Sequence, residues 1–191
     1  VRSHQTLGDL SINLNHNEIS EYKRSLNLNE AVATVTYNSD GHKVTQSAFV
    51  SAPDQVIVIK LKSSHPNGLS GNIQLQRPKD EGIPTANTYT AEGMLKMDGE
   101  VTQRKGAFDS KPNPILEGVQ FQTIVKPNHQ GGTVTTVEDG LELSGVKEIE
   151  LRIVSNSSYY HKDFKSKNSK QLTAIEKCSF KELKDRHIRD H

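Results

Sequence analysis

The feature that most limits the fold of this chain is an alternation of period two that returns in short runs. Residues 31–37 read AVATVTY, which places Ala31, Ala33, Val35 and Tyr37 on one face and Val32, Thr34 and Thr36 on the other. Successive side chains of an extended strand point to opposite faces, so such a run suits a sheet and not a helix. Asp40-Gly41 follows, a dipeptide that favours the left-handed backbone of a tight hairpin turn, and HKVTQSAFVS resumes at His42. The two runs predict a hairpin. Gln55 to Leu61 (QVIVIKL) is the most apolar run and is expected to be central, with both faces largely covered. Val35, Ile57, Val58, Ile59 and Leu151 are the expected core.

Further strand candidates are residues 71–76, 88–97, 119–126, 133–137, 141–143 and 148–155, the last with Ile149, Leu151 and Ile153 on one face. Short strands separated by turn signals, without interleaved helices, predict an all-β fold: an antiparallel two-sheet β-sandwich. The polar stretch from Asp98 to Pro114, with Gly99, Gly106 and Pro112, predicts a loop. After Ser158 the period changes. Leu172, Ile175, Phe180, Leu183 and Ile188 recur near helical spacing, and Ser179-Phe180-Lys181-Glu182 fits a capping box. The expected organisation is therefore a sandwich over residues 1–158 and a short helical linker over 159–191. The Lys-rich stretch from Lys162 to Lys170 reads as a solvated part of that linker. The second helical pattern meets no stop signal before His191, which predicts a chain that continues.

Composition narrows the partners. Only 32% of the chain is hydrophobic and there is no Trp, yet a sheet can build a core when every second side chain is apolar. Lys and Arg number 24 against 23 Asp and Glu, so the basic excess of a nucleic-acid binder is missing. No apolar run approaches the roughly 18 residues of a membrane-crossing helix. The single cysteine, Cys178, forbids an intrachain disulfide and has no evident base partner that would make it a nucleophile.

Chemistry-bearing motifs are sparse. HExxH, CxxC, GxGxxG and GxSxG do not occur, and the eight histidines are scattered. His187 and His191 have the i, i+4 spacing of a metal pair but no third ligand is evident. Asp9 and Asp54 sit in contexts that look deliberate, yet a strand start and a Pro-containing turn account for them. Asn156-Ser157-Ser158 is a formal glycosylation triplet of a kind that arises often by chance. No catalytic, cofactor-binding or metal-binding residue is nominated, and the residues alone yield a sandwich with a helical tail and no activity.

Several stretches, in order along nearly the whole chain, resemble the N-terminal domain of family 95 glycoside hydrolases. They are Leu7-Gly8-Asp9-Leu10, Tyr22-Lys23-Arg24-Ser25-Leu26-Asn27-Leu28, and the Ala31 to Gly41 hairpin. Phe49-Val50-Ser51-Ala52-Pro53-Asp54-Gln55-Val56-Ile57-Val58 is similar to that family's most specific run, and Arg186-His187-Ile188-Arg189-Asp190 to the helix that leads into its catalytic domain. Asn27 stands where the family carries Asp. The resemblance implies a super-sandwich fold and an inverting α-L-fucosidase or α-L-galactosidase in the full-length protein. Its catalytic Glu, Asp and Asn belong to a helical (α/α) barrel that follows this domain, so none can be placed in this chain.

The resemblance also implies the partners: the catalytic barrel of the same polypeptide, and carbohydrate through the whole enzyme. No cofactor, nucleic acid or membrane is expected, and the implied location is outside the cytoplasm of a bacterium. The barrel and linker interface candidates are Leu172, Ile175, Phe180, Leu183 and Ile188. In the chain alone, part of that face must fold back on the sandwich, lie exposed, or meet a second copy in a weak self-association through residues 168–191. The alternative functions are an independent carbohydrate-binding module, for which Tyr159-Tyr160 is the one candidate aromatic pair, and a purely structural sandwich.

Overall fold

The computed structural model describes residues 6–79, 85–101, 118–138 and 140–191. Twelve strands are followed by two helices. In chain order they are β1 (Asp9–Leu14), β2 (Ile19–Asn27), β3 (Val32–Ser39), β4 (His42–Ser51), β5 (Val56–Ser63), β6 (Leu69–Gln76), β7 (Ala86–Ala91), β8 (Met94–Val101), β9 (Val119–Gln130), β10 (Thr133–Val137), β11 (Gly140–Val146), β12 (Glu148–Ser157), α1 (Phe164–Ala174) and α2 (Phe180–Asp190).

The strands form two antiparallel sheets of unequal size. The larger runs β2-β3-β4-β5-β12-β9-β8-β7 and the smaller β1-β6-β11-β10. This is the two-sheet sandwich that alternation predicts. The β3–β4 hairpin closes through Asp40 and Gly41, with Ser39 opposite His42 and both turn residues at positive φ, 51° and 75°. That geometry twists with the strands, which is why Asp-Gly is favoured there. β6 meets β1 where Gly71 (φ 147°) lies opposite Leu14, and a Cβ at Gly71 would fall on the Asn13 carbonyl oxygen. Only glycine permits that approach.

Two sequence expectations change. The single strand expected over 88–97 is a hairpin, β7 and β8, turning at Glu92-Gly93 with Ala91 opposite Met94. An edge strand for which alternation gives no signal, β2, joins the large sheet and bulges between Ser20 and Lys23. The Lys-rich stretch is not a solvated linker, because α1 begins inside it and buries Phe164 and Asn168. The loop expected over 98–114 lies, beyond the end of β8, outside the described residues.

Two apolar clusters hold the fold. Between the sheets, Leu69, Ile73, Leu75, Leu141, Leu143 and Val146 of the small sheet meet Val44, Leu61, Leu95, Met97, Val125, Ile149, Leu151 and Ile153 of the large one. On the opposite face of the large sheet, Val32, Phe49, Val56, Val58, Ile124 and Val154 pack against Leu172, Ile175 and Leu183 of the C-terminal helices. β5 is central as expected, supplying Val56 and Val58 to one cluster and Leu61 to the other.

Ile57 is the exception among the expected core residues. It is 40% exposed, whereas Val58 and Leu151 are fully buried and Ile59 and Val35 are half-buried. Ile57 lies on the inter-sheet face at the start of β5, beside the turn from β4, whereas Leu61 and Val44, on the same face farther along these strands, are 1% exposed, so the small sheet's cover ends along the strands.

Candidate functional site

The helical tail is fastened to the large sheet by polar groups drawn from the sequence stretches singled out above. Asp54, in the turn before β5, accepts from Ser51 Oγ at 2.7 Å. Its carboxylate also receives the Arg186 guanidinium, with Nη2 2.7 Å from Oδ1 and Nε 3.2 Å from Oδ2. A two-point guanidinium–carboxylate pair fixes orientation as well as charge. The Arg186 pKa is held above its usual range by the Cys178 sulfur and by Asp54. His187, one residue on, is buried and stacks on Phe49 with centroids 5.0 Å apart, and its Nε2 lies 2.9 Å from the Glu30 carbonyl oxygen. His191 Nε2 lies 2.8 Å from the Leu28 carbonyl oxygen. Both members of the i, i+4 histidine pair are thus occupied with backbone. Among the described residues no three His, Cys, Asp or Glu side chains are grouped so as to hold a metal.

A second fastening is buried beneath the helix junction. On β12, Glu150 and Arg152 sit on the face opposite Ile149, Leu151 and Ile153, and the helices cover them. Arg152 Nε donates to Glu150 Oε1 at 2.6 Å. Its other nitrogens donate to the carbonyl oxygens of Ile175 and, at 2.5 Å, Cys178. Ile175 is the C-cap of α1 and Cys178 immediately precedes the Ser179 N-cap of α2, so the guanidinium ties the junction between the helices to β12. Asn168, fully buried in α1, donates to the Gln122 carbonyl at 2.9 Å and accepts from Asn156 at 2.7 Å. Asn156 is therefore committed to the interior, in keeping with a chance glycosylation triplet. α2 is capped by Ser179, whose hydroxyl accepts from the Glu182 amide while Glu182 bonds back to the Ser179 amide at 2.7 Å. Those hydrogen bonds hold the Glu182 carboxyl below its usual range.

The interface candidates are accordingly used inside this chain. Leu172, Ile175 and Leu183 are 6%, 3% and 0% exposed against the sandwich. Phe180 is partly buried beside Phe49, and Ile188 is half-buried. Of the three fates open to this face, folding back on the sandwich is the one observed.

The uncovered part of the large sheet is the feature that periodicity could not find. Tyr22, Leu26, Val50 and Ile57 are 61%, 60%, 62% and 40% exposed. Register places Leu26, Val50 and Ile57 on the face that carries the inter-sheet core, and Tyr22, in the β2 bulge, stacks on Tyr37 of that face. One row across the sheet runs Leu26, Ala33, Ala48, Ile59, Leu151, and another Val50, Ile57, Ile153, Val125. These two rows pass from the buried core to open surface without turning polar, whereas the neighbouring row, Leu61, Gln46, Val35, Arg24, ends in a charge at the edge. The reverse face of the same strands is polar at Lys23, Ser25, Asn27, Thr34, Thr36 and Ser47 and apolar where the helices cover it, at Val32, Phe49, Val56 and Val58. Exposed apolar side chains continuous with a buried core mark a contact surface. Where this face meets the small sheet, Tyr37 stacks with Tyr22 and shares a 2.9 Å hydrogen bond with His16 Nδ1. Burial lowers the His16 pKa and raises that of Tyr37. Tyr159 and Tyr160 are exposed, but their rings stand at 85° to each other and form no flat platform for a sugar ring.

Comparison with known proteins places these features. A family model described as "Glycosyl hydrolase family 65, N-terminal domain" matches residues 1–162. The chain is 26% identical to "Alpha-L-fucosidase 2" of Arabidopsis thaliana over 209 aligned positions, which take in 98% of this chain and 25% of that protein. A solved structure, "Putative kojibiose phosphorylase from human microbiome", superposes with a TM-score of 0.58 at 11% identity, covering 91% of this chain and 24% of that one. At that identity the second likeness speaks for the fold alone. The chain spans about a quarter of the length of each.

Proposed function

Because the chain belongs to the family of glycosyl hydrolase family 65 N-terminal domains, matched over residues 1–162, we propose that it is the non-catalytic N-terminal domain of a larger glycosidase, packing on a catalytic helical barrel of the same polypeptide and framing the entrance to its substrate site. The whole protein acts, on this reading, on terminal α-L-fucosyl or α-L-galactosyl groups, as the name of the plant relative and the resemblance of the PDQVIV and RHI stretches suggest. One observation carries the proposal: nearly the whole chain aligns with a quarter of a fucosidase. A segment of that proportion, with a sheet face built to be covered, is suited to a supporting role.

Glycoside hydrolysis needs two carboxyl groups facing each other across one bond. The two carboxylates with deliberate contexts do not fit. Asp9 is exposed at the start of β1, and Asp54 is committed to Ser51 and Arg186. The test is to produce the longer polypeptide with and without residues 1–191 and to assay both on aryl α-L-fucosides and α-L-galactosides. The expected result is that loss of this domain lowers both the melting temperature and the turnover of the remainder. A remainder with unchanged melting and unchanged turnover overturns the proposal.

A further inference from the structure

We infer that the uncovered half of the large sheet, centred on Leu26, Val50 and Ile57, is the surface on which the catalytic portion of the same polypeptide docks, and that the helical tail is not. This rests on the reading that the chain is one domain of a longer glycosidase. It names the contact, and it moves that contact from the helices, where the sequence placed it, to the opposite face of the sheet.

Three observations converge. The first is continuity. Ile153 and Ile57 are opposed in register, as are Ile59 and Ala48, so the open face is the same apolar layer that the small sheet seals farther along. Water meets a surface built as core. The second is that the helical face is already used: Leu172, Ile175 and Leu183 are buried on this sandwich, and Arg152, Asn168 and His187 hold the helices down by buried hydrogen bonds. What the helices show outward is charged, including Lys181, Asp185 and Arg189. The third is the position of the last residue. His191 is bonded to the Leu28 carbonyl at 2.8 Å, and Lys184 pairs with Glu30 at 3.0 Å, so α2 ends at the β2–β3 turn. Leu28, in that turn, is 74% exposed, and Leu26 next to it faces the open layer. Polypeptide continuing beyond His191 leaves α2 at the rim of the uncovered face. A domain tethered at that rim meets the face at high effective concentration, so a modest contact suffices to hold it.

The charge pattern fits a folded protein partner and not a nucleic acid. Arg24 is the one formal charge among the residues that register places on this layer in β2, β3 and β4 from Arg24 to Val50. The core of a stable interface is likewise depleted in charge.

Leu26, Val50 and, on the polar reverse face, Ser25 serve as reporters, each replaced singly by cysteine, with the native Cys178 as a common background. All three are exposed, so the substitutions leave the fold intact. The rate of thiol labelling is compared between the 191-residue chain and the longer polypeptide. In the longer polypeptide L26C and V50C are expected to slow about tenfold or more, as for positions in the desolvated core of an interface, while S25C is unchanged. Equal rates at Leu26 and Val50, with protection appearing instead at K181C on α2, overturn the inference yet leave the reading as an N-terminal domain in place. A coding sequence with no barrel after His191 removes that reading itself. Protection of L26C and V50C in the short chain that rises with its concentration assigns the face to a second copy and overturns the stated occupant.

Discussion

Replacing Arg152 by Met should be among the most destabilising single changes in the chain. Arg152 is 4% exposed and Glu150 8%, and their ion pair is 2.6 Å long. Removing the guanidinium strands the Glu150 carboxylate under the helices and strips donors from the Ile175 and Cys178 carbonyls at the α1–α2 junction. Breaking one side of a buried pair costs about 3–5 kcal/mol, because the partner keeps its desolvation penalty. For a protein of this size that is a fall in melting temperature of about 6–20 °C. The double variant E150M/R152M removes both charges and leaves only the junction carbonyls short of donors, a loss of about 1–3 kcal/mol. The double variant should therefore be more stable than R152M. Urea unfolding of the three proteins, followed by far-UV circular dichroism, measures the order. If R152M costs less than about 1 kcal/mol, or if E150M/R152M is no more stable than R152M, the buried pair does not hold the tail as described.

Ile149→Ala should cost about 2–5 kcal/mol and Ile57→Ala less than half as much, since the first empties a sealed core and the second a face open to water; paired urea titrations compare them. Leu183→Ala, eight residues from the end of the chain, should also cost about 2–5 kcal/mol, which a thermal melt distinguishes from the near-zero loss of a frayed terminus. Ser179→Ala should remove about 1 kcal/mol by uncapping α2. The Glu182 contribution to the same cap is full above the unfolded carboxylate pKa and fades as pH falls through the lowered folded value, so the gap between wild type and S179A should narrow in acid. His16 is lowered chiefly by burial. The unfolded chain therefore binds its proton first as pH falls, and stability should rise with pH through the window below about 6.5 and level off above it, a slope that H16F flattens.

What was legible in the sequence is what is local. Asp40-Gly41 specifies a two-residue turn wherever it sits between strands, and Ser179 to Glu182 specify a cap from their own four side chains. The hairpin at Glu92-Gly93 was missed because apolar alternation runs on through it, from Tyr89 to Met97. Residues 162–170 read as solvated because Lys dominates them, although Phe164, Asn168 and Leu172 repeat at four-residue spacing and all three are buried. The central member of that repeat is an Asn whose hydrogen bonds to Gln122 and Asn156 exist only once β9 and β12 are assembled. Ile57 and Val58 are adjacent, equally apolar and both in a central strand. They face opposite ways, Val58 toward the C-terminal helices and Ile57 toward the small sheet, so which is covered depends on where helices and small sheet end, and no window around residue 57 carries that. The face of the helical tail is of the same kind. Helical spacing announces an apolar face, but whether the cover is this sandwich or another domain is a tertiary fact.

That this domain contributes structure and not chemistry is tested most directly by assaying the purified 191-residue chain on aryl α-L-fucosides and α-L-galactosides. The expected result is no turnover above buffer at any pH. Turnover that survives repurification and vanishes on mutating a single carboxylate of this chain, Asp9 or Asp54 first, contradicts it.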